Sequence, residues 1–75
     1  MISVEIARRL KHQFNATCYT QSMEYAEDLI NTKLADRDEE REHYLKELKE
    51  NLHVMGGFHF YTEDQTEYYF SVFEE

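Results

Sequence analysis

An α+β fold, with three helices followed by a C-terminal antiparallel β-hairpin packed on them, is what three features of this 75-residue chain predict. Apolar residues recur at helical spacing in three successive segments, the only two glycines stand side by side at 56 and 57, and beyond them the apolar period becomes two. One domain, 1–75, accommodates this pattern. So short a chain buries only about 60% of the surface its unfolded form exposes, which leaves a thin core. Five Phe and six Tyr compensate in part, since each aromatic ring buries roughly 150–250 Å².

Proline is absent, so helix ends must be read from caps and from changes of period. Ser3 is placed to cap a first helix that carries Ile6, Ala7, Leu10 and Phe14 on one face, with Ile2 stapled against Ala7 and an end near Asn15. Residues 16–20 form a connector, loop or short strand. Ser22 or Thr20 caps a second helix whose face is Met23, Ala26, Leu29, Ile30 and Leu34. A break near Ala35 is predicted because 35–43 lacks any large apolar side chain and Asp36 with Glu39 resembles a capping box; one continuous helix from 22 to 55 is the alternative.

Tyr44, Leu45, Leu48, Leu52 and Met55 fall on one side of the third helix. Gly56-Gly57 offers a left-handed residue to close it. In the hairpin, pairing Thr62 with Tyr68 gathers Phe58, Phe60 and Thr62 with Tyr68, Phe70 and Val72 on a core face. The other face receives His59, Tyr61, Tyr69, Ser71 and Phe73, ringed by Glu63, Glu67, Glu74 and Glu75. Leu10, Phe14, Ile30, Leu45, Leu48, Leu52, Phe60 and Phe70 are the expected core.

Sixteen acids against eight Lys and Arg give a net charge of −8. That charge disfavours nucleic acid and anionic membranes as direct partners and favours a basic protein. Arg8, Arg9 and Lys11 make the first residues the exception, and they are read as salt-bridge partners. A single cysteine, Cys18, excludes an intramolecular disulfide and suits a reducing compartment. With no signal-peptide pattern and no apolar run near the ~20 residues of a membrane span, a cytoplasmic location is expected. The sequon Asn15-Ala16-Thr17 is then a chance match.

Two patches are candidate binding sites. The first is the outer hairpin face, where Tyr61, Tyr69 and Phe73 amid Glu63 and Glu67 have the composition of an interface centre with a polar rim; a helix covering this face is the competing reading. The second is a line on the third helix. Asp36, Glu40, His43, Glu47 and Glu50 recur at spacings of 4, 3, 4 and 3 along about 21 Å. Such a line can imitate a phosphate backbone, or be merely a solvated face. Glu42 has Lys46 at i+4, whereas Glu47 has no Lys or Arg three or four residues away.

Chemistry finds little support. Glu40-x-x-His43 and Glu50-x-x-His53 match half of a di-iron motif each, but one helix holds both, about 15 Å apart, so neither a metal nor another cofactor is expected. Cys18 with His12 or His59 lacks a glycine turn or oxyanion donors, and a small buried cysteine is the simpler reading. Glu63, Asp64 and Glu67 at a hairpin tip have nothing to raise a carboxyl pKa. In size, acidity and lack of catalytic residues the chain resembles the acidic inhibitors, among them phage anti-defence proteins, nuclease inhibitors and nucleic-acid mimics. The expected function is therefore non-enzymatic: inhibition or modulation of a basic, nucleic-acid-handling protein. A homodimer or higher oligomer joined through the aromatic hairpin face is the alternative.

Overall fold

Ile2, Val4 and Ile6 alternate with Ser3, Glu5 and Ala7, and this period of two governs the start of the chain in place of the helical spacing. The computed structural model describes residues 2–54 and 56–74, and of 51–54 the backbone alone. Strand β1 (Ile2–Arg9) and strand β2 (Thr17–Ser22) form a hairpin, α1 (Met23–Lys33) and α2 (Asp38–Val54) follow, and β3 (Gly57–Tyr61) and β4 (Glu67–Glu74) complete the chain. All four strands lie in one antiparallel sheet of order β2-β1-β4-β3. The fold of three helices plus a terminal hairpin is thus corrected to two helices and a four-stranded sheet, with strands on both sides of the helices in sequence.

The first expected helix fails for a non-local reason. As a central strand, β1 pairs Val4 with Val72 and Ile6 with Phe70, and all four side chains are buried. A helix over the same residues satisfies its own hydrogen bonds but leaves Val4 off the face defined by Ile6 and Leu10. Leu10 and Phe14, expected in the core, are 42% and 100% exposed on the β1–β2 connection.

Other expectations hold. The Ser22 side chain accepts a hydrogen bond from the Tyr25 backbone N–H, capping α1, and Ala26, Ile30 and Leu34 are buried with Met23 and Leu29 packed beside them. The break near Ala35 is real, which excludes a continuous helix: Leu34 N–H donates to Ile30 O at 3.0 Å and ends α1. Asp36, however, lies in the turn, two residues before α2 begins at Asp38, so the expected capping box is displaced. On α2, Leu48 is buried and Tyr44 and Leu45 pack against the core; the side chain of Leu52 and all of Met55 lie outside the described residues.

Hairpin register is shifted by two residues from the expected one. Phe58 pairs with Phe70 and Phe60 with Tyr68, while Thr62 opens a loop in which its N–H donates to Thr66 O at 3.0 Å. Gln65 turns the loop in the left-handed region at φ 64°. A shift of two preserves the faces, so Phe58, Phe60, Tyr68, Phe70 and Val72 are buried as expected. The core is an aromatic cluster: Phe60 lies 5.1 Å from Tyr44 and 5.5 Å from both Tyr68 and Phe70, centroid to centroid. Such pairs contribute about 0.5–1.5 kcal/mol each beyond burial.

Gly57 does not take up a positive φ and so does not supply the expected left-handed closure of α2. Gly57 is already part of β3, and space explains it. A Cβ there would lie 2.7 Å from the Phe70 carbonyl oxygen and 2.9 Å from the Tyr69 hydroxyl oxygen. Tyr69 reaches over the bare glycine from the neighbouring strand, the arrangement by which an aromatic ring compensates for a missing side chain.

Gly57→Ala should cost about 1–3 kcal/mol in urea unfolding, the range for inserting a methyl where backbone must move. Tyr19 supplies a second check. Burial, then its hydrogen bond with Tyr25, pushes its phenol up to about 12. Since the folded value exceeds the unfolded one of about 10, this contribution to stability is present below pH ~10 and lost as pH rises through the folded value. Tyrosinate absorbance should show a group titrating near 12 that moves down in Tyr25→Phe.

Candidate functional site: the helix-free face of the sheet

Both helices pack on one side of the sheet. Their buried residues Ala26, Ile30, Leu34 and Leu48 join the same cluster as Val4, Ile6, Phe58, Phe60, Phe70 and Val72, and alternation sends the intervening strand residues the opposite way. Registers place those residues in rows across the sheet: Cys18, Ala7, Tyr69 and His59 in one, Thr20, Glu5, Ser71 and Gly57 in the next. A third joins Arg9, Glu67 and Tyr61, and a fourth joins Ser22, Ser3 and Phe73. No described helix covers this face. Tyr61 and Tyr69 are each 47% exposed, and Phe73 is half-buried.

One row is wired together. The Tyr61 hydroxyl donates to Glu67 Oε2 at 2.8 Å, and Arg9 Nε donates to Glu67 Oε1 at 3.3 Å. Arg9 also donates through Nη1 to Gln13 O at 3.1 Å. The Tyr61 hydrogen bond, followed by the Arg9 guanidinium, holds the Glu67 carboxyl below its ordinary range, and the same bond raises the Tyr61 phenol. Half-exposed pairs of this kind are worth little to stability. Their effect is on shape: Tyr61 is fixed against the sheet, and the end row of the face nearest the β3–β4 loop is close to neutral.

At the loop beyond Tyr61, the Asp64 carboxylate accepts from the Thr62 hydroxyl and from Thr66 N–H, and these bonds lower its pKa. Glu63 is exposed beside it. Glu63 and Asp64 form an acidic rim at one end of the face.

The structure therefore brings together Tyr61, Glu67, Tyr69 and Phe73, with Glu63 at the margin, and separates them from Glu40, His43, Glu47 and Glu50 on α2, which lies across the sheet. Asp36 sits in the α1–α2 turn, next to Arg37, whose Nη2 donates to Tyr61 O at 2.8 Å. The line along α2 is also less open than its sequence suggests. Glu40 pairs with Arg37 at 3.0 Å and Glu50 with Lys46 at 3.7 Å, while His43 Nε2 lies 3.9 Å from Glu47. Lys46 thus turns toward Glu50, in place of the expected Glu42.

Sequence reading missed Arg9, Ala7 and Glu5 as parts of this face because it placed them on a helix. Their signal was the alternation with Val4 and Ile6. Cys18, expected to be buried, is exposed. Three strand spacings of about 4.8 Å separate it from His59, too far for a nucleophile and its base. Among the described residues no group of three or more His, Cys, Asp or Glu is arranged to hold a metal ion, and no helix is long and apolar enough to cross a membrane.

Tyr61→Phe should raise the Glu67 pKa, read from its side-chain carboxyl in an NMR titration. The sign for stability follows. A carboxyl depressed in the folded state stabilises the fold above the unfolded carboxyl pKa, and the gain is lost as pH falls through the folded value. The stability difference between wild type and variant should accordingly shrink in acid. No protein-family model, curated protein or solved structure matches this chain.

Proposed function

We propose that this chain is a small acidic binding protein that inhibits or modulates a basic, nucleic-acid-handling protein, and that it seats the helix-free sheet face on that partner. The observation that carries this reading is the one-sided burial of the sheet, which leaves Tyr61, Tyr69, His59 and Phe73 at an open surface. Aromatic anchors inside a polar rim are the usual composition of an interface centre. Net charge selects the partner's sign: a protein at −8 attracts a basic surface from a distance, and its own acids repel nucleic acid. On this reading the aromatic face fixes orientation, while Glu63 and Asp64 supply an attractive margin and Glu5 adds a carboxylate within the face.

Imitation of a phosphate backbone by α2 receives less support, because Glu40 and Glu50 already share basic partners on their own helix. Homo-oligomerisation through the aromatic face is the second reading. It is favoured by one observation, the Arg9–Glu67 pair, which removes most of the charge that two facing copies would otherwise oppose.

The test is affinity capture with the full chain from its native host, followed by titration of the captured basic protein at increasing salt. Binding should weaken steeply with ionic strength and fall at least about thirtyfold in Tyr61→Ala, as for an interface anchor. Glu40→Lys and Glu47→Lys should leave it nearly unchanged. Loss of binding in those α2 variants with Tyr61→Ala inert would move the contact to the helix. A particle that is oligomeric at all salts and becomes monomeric in Phe73→Ala would establish the second reading.

A further inference from the structure

Phe14 is 100% exposed, at the turn that leads into β2. A fully exposed phenylalanine has no role in the core of the free chain. It stands beside a strand that is itself unusual. Between Lys11 and Glu24 there is no Asp, Glu, Lys or Arg, in a chain that is 32% charged. That neutral stretch comprises the turn and the whole of β2, which is an edge strand of the sheet.

Natural edge strands are commonly blunted by a lysine, a proline, a bulge or a covering element. β2 carries none of the first three: no proline occurs in the chain, no charge falls within Thr17–Ser22, and its pairing with β1 runs without interruption from Ser3↔Ser22 to Arg8↔Thr17. The opposite edge differs. β3 is five residues long, begins on the crowded Gly57, and has its last carbonyl, Tyr61 O, taken by Arg37. Two further exposed apolar groups line the β2 side, Leu10 before the turn and Tyr25, 41% exposed, at the start of α1. Tyr25 meets Tyr19 of β2 edge to face, with ring centroids 6.3 Å apart.

We infer that the β2 edge joins two copies of this chain, β2 against β2 in antiparallel pairing about a two-fold axis, to form one continuous eight-stranded sheet. Charge identifies the occupant. Along β2 a second copy of this −8 protein meets no carboxylate, since neither strand carries a charge. An antiparallel edge contact is isologous, so each strand supplies the donors and acceptors that the other lacks. Apart from Tyr19, whose ring packs on Tyr25, the Thr, Cys, Gln and Ser side chains of the strand provide no feature that selects a foreign sequence, and the identical strand needs none. Opposed chain directions carry Phe14, which precedes β2, toward the far end of the partner's strand, where α1 opens with Met23 and Tyr25. That contact gives the exposed ring an apolar surface. The inference is independent of the binding function proposed above and leaves the helix-free face open in both copies.

Sedimentation equilibrium on the full chain should show a particle of twice 9.1 kDa at high concentration that dissociates on dilution. Phe14→Ser removes a side chain that touches nothing in the monomer, so circular dichroism should be unchanged while dimer dissociation strengthens about tenfold or more. Thr20→Lys should act likewise, by bringing like charges together across the axis. Hydrogen exchange gives a second readout: alternate β2 amides, those not bonded to β1, should gain protection as concentration rises from micromolar to millimolar. A chain that stays monomeric at millimolar concentration overturns the inference. So does a dimer whose β2 amides remain unprotected, or one that persists in Phe14→Ser and Thr20→Lys but dissociates in Phe73→Ala. Pairing of the β2 edge with another protein's strand, with no self-association, overturns the choice of occupant.

Discussion

Pairing between β1 and β4, from Ile2↔Glu74 to Arg9↔Glu67, holds the rest of this molecule in place. It joins the two ends of the chain at the middle of the sheet and sets Val4 and Ile6 beside Val72 and Phe70, the floor on which both helices rest. Closing so long a loop costs chain entropy before any contact repays it. Repayment comes from burial on one face, where both helices pack against the sheet.

Covering one face with two helices demands large side chains in a shallow layer. The cluster of Tyr44, Phe58, Phe60, Tyr68 and Phe70 meets that demand. Gly57 belongs to the same economy on the reverse face, where its missing side chain makes room for the Tyr69 ring. Core and outer surface are therefore coupled through a single strand, and the ring that a partner would meet on the outer face is held in position by the close approach of β3 to β4.

Charge and aromatic exposure are partitioned between the two layers. The helix layer carries Asp36, Glu40, Glu47 and Glu50 together with Arg37, Arg41, Lys46 and Lys49, much of it joined in pairs one helical turn apart. The sheet face carries aromatic rings around one neutralised row, Arg9–Glu67–Tyr61. Charge and exposed aromatic surface accordingly reside largely on different sides of one small protein.

The strongly periodic segments were legible in the sequence. The Ser22 cap, the break near Ala35, the Leu48 face of α2 and the two faces of the terminal hairpin all follow from local spacing, since cap chemistry and side-chain alternation need no distant partner. Even a hairpin register displaced by two kept Tyr61, Tyr69 and Phe73 together. The start of the chain was not legible, because Ile2, Val4 and Ile6 fit a strand while Ile6, Leu10 and Phe14 fit a helix, and local energies do not separate the two. The non-local partner, β4, decides for the strand. Tertiary structure alone placed Arg9 against Glu67, put α2 on the opposite side from the hairpin's outer face, and exposed Phe14 and β2 at an edge. Each of these depends on which residues distant in sequence share a sheet, and hydrophobic period along a chain carries no information about that.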